Sequence, residues 1–221
     1  LSSKQVSARL SSARSLAATV VTDLILLIFG TIFISVDPGL YRRGTVKLFP
    51  RKHRALLDEA LGEAGASLRQ WIVGQLITMV FIGVAFGIVL SLIGVPSALA
   101  LALIAGLLEI IHYFGPILSA VPVLVMAATV GQTKLLIAFI AVLGLQQFEG
   151  DVLTPYIHKK VVSLPPAVSV FGVVAGGVLF GPIGLIFAAP LLIVSFTLIK
   201  RLYVEEYLDT PMDIPGRDDK G

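Results

Sequence analysis

The run Gln146-Gln147-Phe148-Glu149-Gly150-Asp151-Val152-Leu153-Thr154-Pro155 packs two amides, two carboxylates and a hydroxyl into an otherwise apolar part of the chain. On a helix, Gln146 and Glu149 share one face, as do Gln147 and Asp151. Gly150 and Pro155 invite the backbone to open, which frees carbonyl oxygens as further ligands. Such a set suits a polyhydroxylated molecule or a small cation, with Gln146, Gln147 and Thr154 on substrate and Glu149 and Asp151 on cation or polar substrate. The competing reading is an ordinary helix end at an interface, where polar groups cost little. A second pair, Glu109 and His112, stands one helical turn apart on one face. Imidazole titrates close to physiological pH, so a Glu–His pair can hand on a proton; a buried pair that only fixes helix packing is the alternative.

Other chemistry drops out. The absence of cysteine removes disulfides, thiol catalysis and Cys-ligated metal. The Glu-x-x-His pattern occurs once, at Glu109 and His112, whereas di-iron bundles need two such patterns and two further glutamates. Neither a His-Glu-x-x-His nor a Gly-x-Ser-x-Gly element is present. The sequence therefore predicts no catalytic residue, no metal and no cofactor, and a protein that is not an enzyme.

The elements that position these groups follow from composition. Of 221 residues, 56% are hydrophobic, against roughly 45–50% in soluble domains; 14% are charged and the mean hydropathy is +0.94. One soluble core of this size cannot absorb that much apolar surface. The charges are segregated: of 17 basic and 14 acidic side chains, only Glu109, Lys134, Glu149, Asp151, Lys159 and Lys160 lie between Gln70 and Ile199. The fold class predicted is all-α, a polytopic transmembrane helical bundle. Inside such a body an ionisable side chain costs roughly 2.5–3.5 kcal/mol on insertion scales, so function is its default reading. The net charge of +3 does not point to nucleic acid, because the cations crowd the ends.

Seven apolar stretches can be read: Ala17–Val36, Trp71–Ile93, Ser97–Tyr113, Ile117–Val130, Leu135–Phe148, Pro166–Phe180 and Ile183–Ile199. A bilayer core needs about 20 helical residues. The first two suffice, and the rest are short enough to tilt, stop midway or pair as helical hairpins. The basic stretch Tyr41–Arg54 contains no acid and belongs on the cytoplasmic side, where it also attracts anionic membrane lipids. Alternating crossings then put Lys159, Lys160, Lys200 and Arg201 inside and Gly94 outside, with Lys134 the one exception. Residues 51–70 read as an amphipathic helix with Leu56, Leu57, Ala60, Leu61, Ala64 and Leu68 at helical spacing, lying on the inner surface, on a neighbouring helix, or as a solvated linker. The domain organisation predicted is an amphipathic N-terminal segment over 1–16, whose Ser/Arg composition also mimics a transit peptide, a transmembrane domain over 17–207 that includes the basic loop and amphipathic helix of 37–70, and a disordered cytoplasmic tail over 208–221. Starting at Leu1, the sequence reads as part of a longer chain with further spans upstream.

Phe114-Gly115-Pro116-Ile117 recurs as Phe180-Gly181-Pro182-Ile183. Each copy reads as helix, break, helix, with Gly115, Pro116, Gly181 and Pro182 as hinges. The orientation above points the first break inward and the second outward, the pattern of an inverted repeat, in which broken helices frame a site near the bilayer midplane. Gly83 with Gly87, Ala98 with Ala102 and Gly106, and Gly172 with Gly176 have the spacing that lets helices approach closely.

The Gln146–Pro155 run, the Tyr113-Phe114-Gly115-Pro116 break, the ending Gly176-Gly177-Val178-Leu179-Phe180-Gly181 with Ala189-Pro190-Leu191, and Gly74-Gln75 together resemble the autoinducer-2 exporter (AI-2E) family of permease-like transporters. The resemblance spans about residues 17–204. It implies a multi-pass protein of the bacterial inner membrane, assembly into homo-oligomers such as pentamers, and elevator-like exchange of the substrate site. It implies export of the quorum-sensing furanone autoinducer-2 or, for some members, Na⁺(Li⁺)/H⁺ antiport. Glu109 and His112 stand where the family usually has Asn and Pro, and Asp151 where it usually has Asn. Each departure adds an ionisable group and favours proton or cation coupling. The sequence thus predicts a secondary transporter of a small polar molecule, with Glu109 and His112 carrying the coupling proton and H⁺ or Na⁺ as the coupling ion. A cation/proton antiporter, and a scaffold or sensor without flux that docks partners on the basic loop, are the alternatives.

Overall fold

A computed structural model describes residue 22 and residues 37–157 and 165–205. The predicted segment 1–16, nearly all of the first stretch Ala17–Val36, Lys159, Lys160 and the tail 208–221 lie outside the described residues. The chain divides into two compact units, residues 1–58 and 59–221. All regular elements described are helical.

In the first unit, α1 spans Pro38–Lys47. The Asp37-Pro38-Gly39 turn, which the sequence suggests as a terminator, also starts this helix: the Asp37 carboxylate accepts from the Leu40 N–H at 2.9 Å, and Pro38 sits in the first turn, where no N–H is needed. The basic stretch is therefore not a plain loop, since its first half is helical. A 3₁₀ turn, Arg51–His53, leads into α2, Arg54–Ile93. Arg42 grips Asp58 through a fork, Nε to Oδ1 at 2.6 Å and Nη2 to Oδ2.

Helix α2 is continuous over 40 residues, about 60 Å at 1.5 Å per residue, so the amphipathic segment and the second span are one rod. Ala60, Ala64, Ser67, Trp71, Gln75, Thr78, Ile82, Phe86 and Leu90 are buried along it. Spaced by three or four residues, they form a single stripe. Of the positions that sequence spacing picks out, Ala60 and Ala64 belong to this stripe, which rules out a solvated linker.

From Ile93 the second unit reverses repeatedly: α3, Ala98–Leu108; α4, Phe114–Val130; α5, Gln132–Phe148; a π-helical turn, Glu149–Leu153; a short α6, Thr154–Ile157; then α7, Pro166–Ile199, and a second π turn, Lys200–Glu205. Each reversal among the described residues carries a positive φ: Gly94 and Ser97, Tyr113, Gly131, and Gly181. One core joins Ile82, Phe86 and Leu90 of α2 to Leu101 and Ala105 of α3, Val123 and Ala127 of α4, and Ala138 and Val142 of α5. A second joins Trp71 to Ala189 and Ile193 of α7.

Among the described residues three helical runs are long and apolar enough to cross a membrane, Arg51–Ile93, Gln132–Ile157 and Pro166–Val204. The third reverses at Gly181 (φ 65°, ψ −147°), a backbone region open essentially to glycine alone. Pro182, with its fixed φ and no N–H, starts the returning half. The halves press together through glycine: a Cβ on Gly176 would lie 2.9 Å from the Gly184 carbonyl oxygen and one on Gly172 would strike Leu192. The stretches Pro166–Phe180 and Ile183–Ile199 thus form a helical hairpin, as their length predicts. The first break makes another. The 11 residues of α3 reach about 17 Å, roughly half of a hydrocarbon core, before the chain turns back into α4. Small residues seat this hairpin on α2: a Cβ on Gly106 would stand 2.7 Å from the Met79 carbonyl oxygen and 3.1 Å from the Gly83 Cα.

Lys134, the exception to the predicted orientation, reaches the Gly94 carbonyl oxygen at 3.3 Å. A cation there meets the negative end of α2, so Lys134 has a local reason to share an end of the bundle with Gly94.

Candidate functional site

The break between α3 and α4 is built tightly. Helix α3 ends at Leu108 with Glu109 as its cap, and residues 109–113 form turns. The sequence expectation that Glu109 and His112 share a helix face is therefore corrected: the helix stops before the pair. The positive φ falls on Tyr113 (φ 67°, ψ −36°) rather than on Gly115, whose backbone is helical. For a bulky residue such a conformation stores about 1–3 kcal/mol of strain, and strain of this kind clusters at functional sites. Gly115 contributes space instead. A Cβ there would overlap the Leu108 carbonyl oxygen and lie 2.9 Å from the Glu109 Cα. Pro116 lies in the first turn of α4, where its missing N–H is not needed. A proline signals a break nearby without fixing which residue bends, and here the bend is three residues earlier.

Helix α5 delivers the polar run to this break. Gln146 Nε2 donates to the Pro116 carbonyl oxygen at 3.0 Å. On the same face, the Glu149 carboxyl lies beside that of Glu109, close enough for the two to interact. Two carboxylates held this close repel one another, and a shared proton relieves that repulsion. Glu109 is 3% exposed, while Glu149 is half-buried and connects the pair to the surface. The backbone from Glu149 widens into a π turn, closed by the Thr154 N–H on the Glu149 carbonyl oxygen. Such turns are frequent at functional sites, and this one accounts for Gly150 and Pro155 lying where they do.

The other face of the run points away. Gln147 Nε2 donates to Asp151 Oδ2 at 2.6 Å, and both side chains are exposed. Thr154 is half-buried at the end of the π turn. His112 is half-buried on the turn, its ring edge-on to Tyr113 with centroids 4.5 Å apart. The structure thus groups Glu109, Gln146 and Glu149 at the first break, sets Gln147 and Asp151 on another face, and leaves Gly181 and Pro182 at the tip of the second hairpin.

Gln75 joins the site without having been singled out as part of it. Its Nε2 donates to the Glu109 carbonyl oxygen at 2.7 Å, its Oε1 is buried with no hydrogen-bond partner, and the residue is 4% exposed. A lone amide in the charge-free stretch Trp71–Ile93 is the signal that could have marked it. Replacing Gln75 with Leu strands the Glu109 carbonyl and is expected to destabilise the protein by about 1–3 kcal/mol, read as a lower midpoint of thermal unfolding in detergent.

Helix α2 also measures depth. Ile193 packs on Trp71, and Arg201 reaches Glu59 at 2.9 Å and Glu63 at 3.7 Å, so the returning half of α7 runs antiparallel to α2. Glu109, at the first break, meets Gln75 on the same rod. Two broken hairpins packed on one membrane-spanning rod are an arrangement that transporters use.

The family model described as AI-2E family transporter matches residues 1–203. The chain belongs to the AI-2E transporter family. Similar proteins of this kind include the Bacillus subtilis proteins named "Putative transport protein YrrI", 35% identical over 73% of this chain and 46% of its own length, and "Putative transport protein YueF", 29% identical over 82% of this chain and 50% of its own. The Mycobacterium tuberculosis "Putative transport protein MT0215" is 30% identical over 81% of this chain and 50% of its own. The chain thus spans about half the length of the curated relatives it matches. Within the AI-2E family, the segment described here holds both broken hairpins and the polar run.

Proposed function

We propose that this chain carries the coupling site of a secondary transporter in a bacterial inner membrane, which exports a small polar, autoinducer-2-like molecule in exchange for protons. The observation that carries this reading is the pair of carboxyls, Glu109 buried and Glu149 half-buried, set side by side at the first break. A buried acid beside a half-exposed one can act as a relay: Glu149 meets water or substrate and Glu109 takes the proton at depth. His112, on the adjoining turn, extends the relay toward the surface. Gln146 binds substrate beside Glu149, Gln147 and Asp151 meet polar cargo on the other, exposed face of the run with Thr154 at its end, and the breaks at Tyr113 and Gly181 let the hairpins move with the cargo. Elevator-like exchange in a homo-oligomer, pentameric in the family pattern, belongs to the same proposal.

A second reading, a Na⁺(Li⁺)/H⁺ antiporter, is favoured by Gln75: its side chain touches the Glu109 backbone and carries a buried, unpartnered oxygen, an oxygen donor of the kind hard cations take. Flux in proteoliposomes decides between them. Uptake of small polyhydroxylated compounds that depends on an imposed pH gradient and not on Na⁺ supports the exporter, whereas Na⁺ or Li⁺ flux driven by the same gradient supports the antiporter. Absence of flux under both conditions in the full-length protein would leave a scaffold or sensor and overturn both.

A further inference from the structure

Between Tyr41 and Arg54 stand six basic side chains and no acid, and the structure gives them unlike tasks. Arg42 is held by Asp58 and Arg43 lies 3.6 Å from Asp37. Arg54 donates to the Lys47 and Phe49 carbonyl oxygens, both at 3.0 Å, and so staples the turn that follows α1. Lys47, Arg51 and Lys52 make no ion pair or side-chain hydrogen bond with the described residues. Between these three cations the turn projects Leu48, 83% exposed, and Phe49, 44% exposed. The turn is fixed by its backbone, with Leu48 N–H on Thr45 O at 3.1 Å, Phe49 N–H on Val46 O at 3.2 Å and His53 N–H on Pro50 O at 3.0 Å.

We propose that Leu48 and Phe49 form a wedge that enters the headgroup layer of an anionic bilayer while Lys47, Arg51 and Lys52 hold lipid phosphates around it. An apolar tip ringed by unneutralised cations is complementary to such a surface on both counts: the tip leaves water and the cations gain anionic partners. Holding the turn rigid with Arg54 removes most of the ordering entropy that a flexible loop would lose on docking. This inference lies apart from the transport site and does not depend on the transporter reading.

The test uses the full-length protein in nanodiscs. Because this sequence has no cysteine, Phe49→Cys in a cysteine-free full-length background takes an environment-sensitive fluorophore at one position. In discs of equal parts phosphatidylcholine and phosphatidylglycerol the label is expected to emit as in a lipid interior and to be quenched by lipid-borne spin labels. In phosphatidylcholine alone, or at high salt, it returns to water. Each of Lys47→Gln, Arg51→Gln and Lys52→Gln, all exposed and free to be replaced without unfolding, should lower the inserted-to-free ratio about fivefold. A label that stays in water in both discs overturns the proposal. So does one equally buried in both regardless of salt and of the three substitutions, since that would mean the tip is covered by another segment or a second copy.

Discussion

Replacing Glu149 or Glu109 with Gln is expected to reduce proton-driven flux about tenfold or more, in the range of ordinary coupling free energies, while leaving the protein folded. The two carboxyls lie side by side, and an amide has nearly the size and shape of a carboxyl, so the packing contact survives. What disappears is the proton, because a Gln side chain neither takes one up nor releases it. Each single variant should therefore flatten the dependence of flux on pH, and the double variant should do no more than either alone, since the pair acts as a unit. Proteoliposome flux across a pH series, with thermal unfolding as the control for folding, checks this. If both single variants transport like the unmodified protein with an unchanged pH profile, the carboxyl pair is structural and the coupling group lies elsewhere. Loss of flux together with a collapsed unfolding midpoint would point the same way.

Gly184→Ala is expected to be the most disruptive single-methyl change in the described residues, lowering stability by about 3 kcal/mol or more, the upper range of core overpacking. The added carbon would overlap the Gly176 carbonyl oxygen and lie 2.6 Å from its carbonyl carbon. These are backbone atoms of the facing half of the hairpin and cannot swing aside, so the halves must part. Gly181→Ala at the tip should cost less, about 1–3 kcal/mol of backbone strain, because the space there is open. Gly144→Ala is the control: nothing lies within 4 Å of a Cβ at that position, and alanine gains helix propensity of about 1 kcal/mol. Thermal unfolding in detergent orders the three, and a Gly184→Ala protein as stable as Gly144→Ala would show that the second hairpin is not packed as described.

The resemblance visible in Gln146–Pro155 and in the two Phe-Gly-Pro-Ile breaks was enough to indicate the family. Composition and spacing were enough for the helical class, for the shortness of most apolar stretches, and for the reversals at Gly94 and Gly181, because apolar run length and helix-breaking residues act locally and depend on little but the residues themselves. The small-residue spacings at Gly83, Ala102 and Gly106 also named real contacts, since close approach needs a missing side chain wherever the partner comes from. Local signals were weaker at the first break. Pro116 and Gly115 announced it, yet the bend falls on Tyr113 and the helix ends before Glu109, because a proline is compatible with the first turn of a helix. The site itself was decided by the tertiary structure. Glu109 was paired by spacing with His112, three residues away, but its carboxyl meets Glu149, forty residues on, and its carbonyl meets Gln75, thirty-four residues back. Spacing along one helix cannot express such pairings; they arise only when hairpins of fixed length are laid against the α2 rod and two acids from separate elements come to lie side by side.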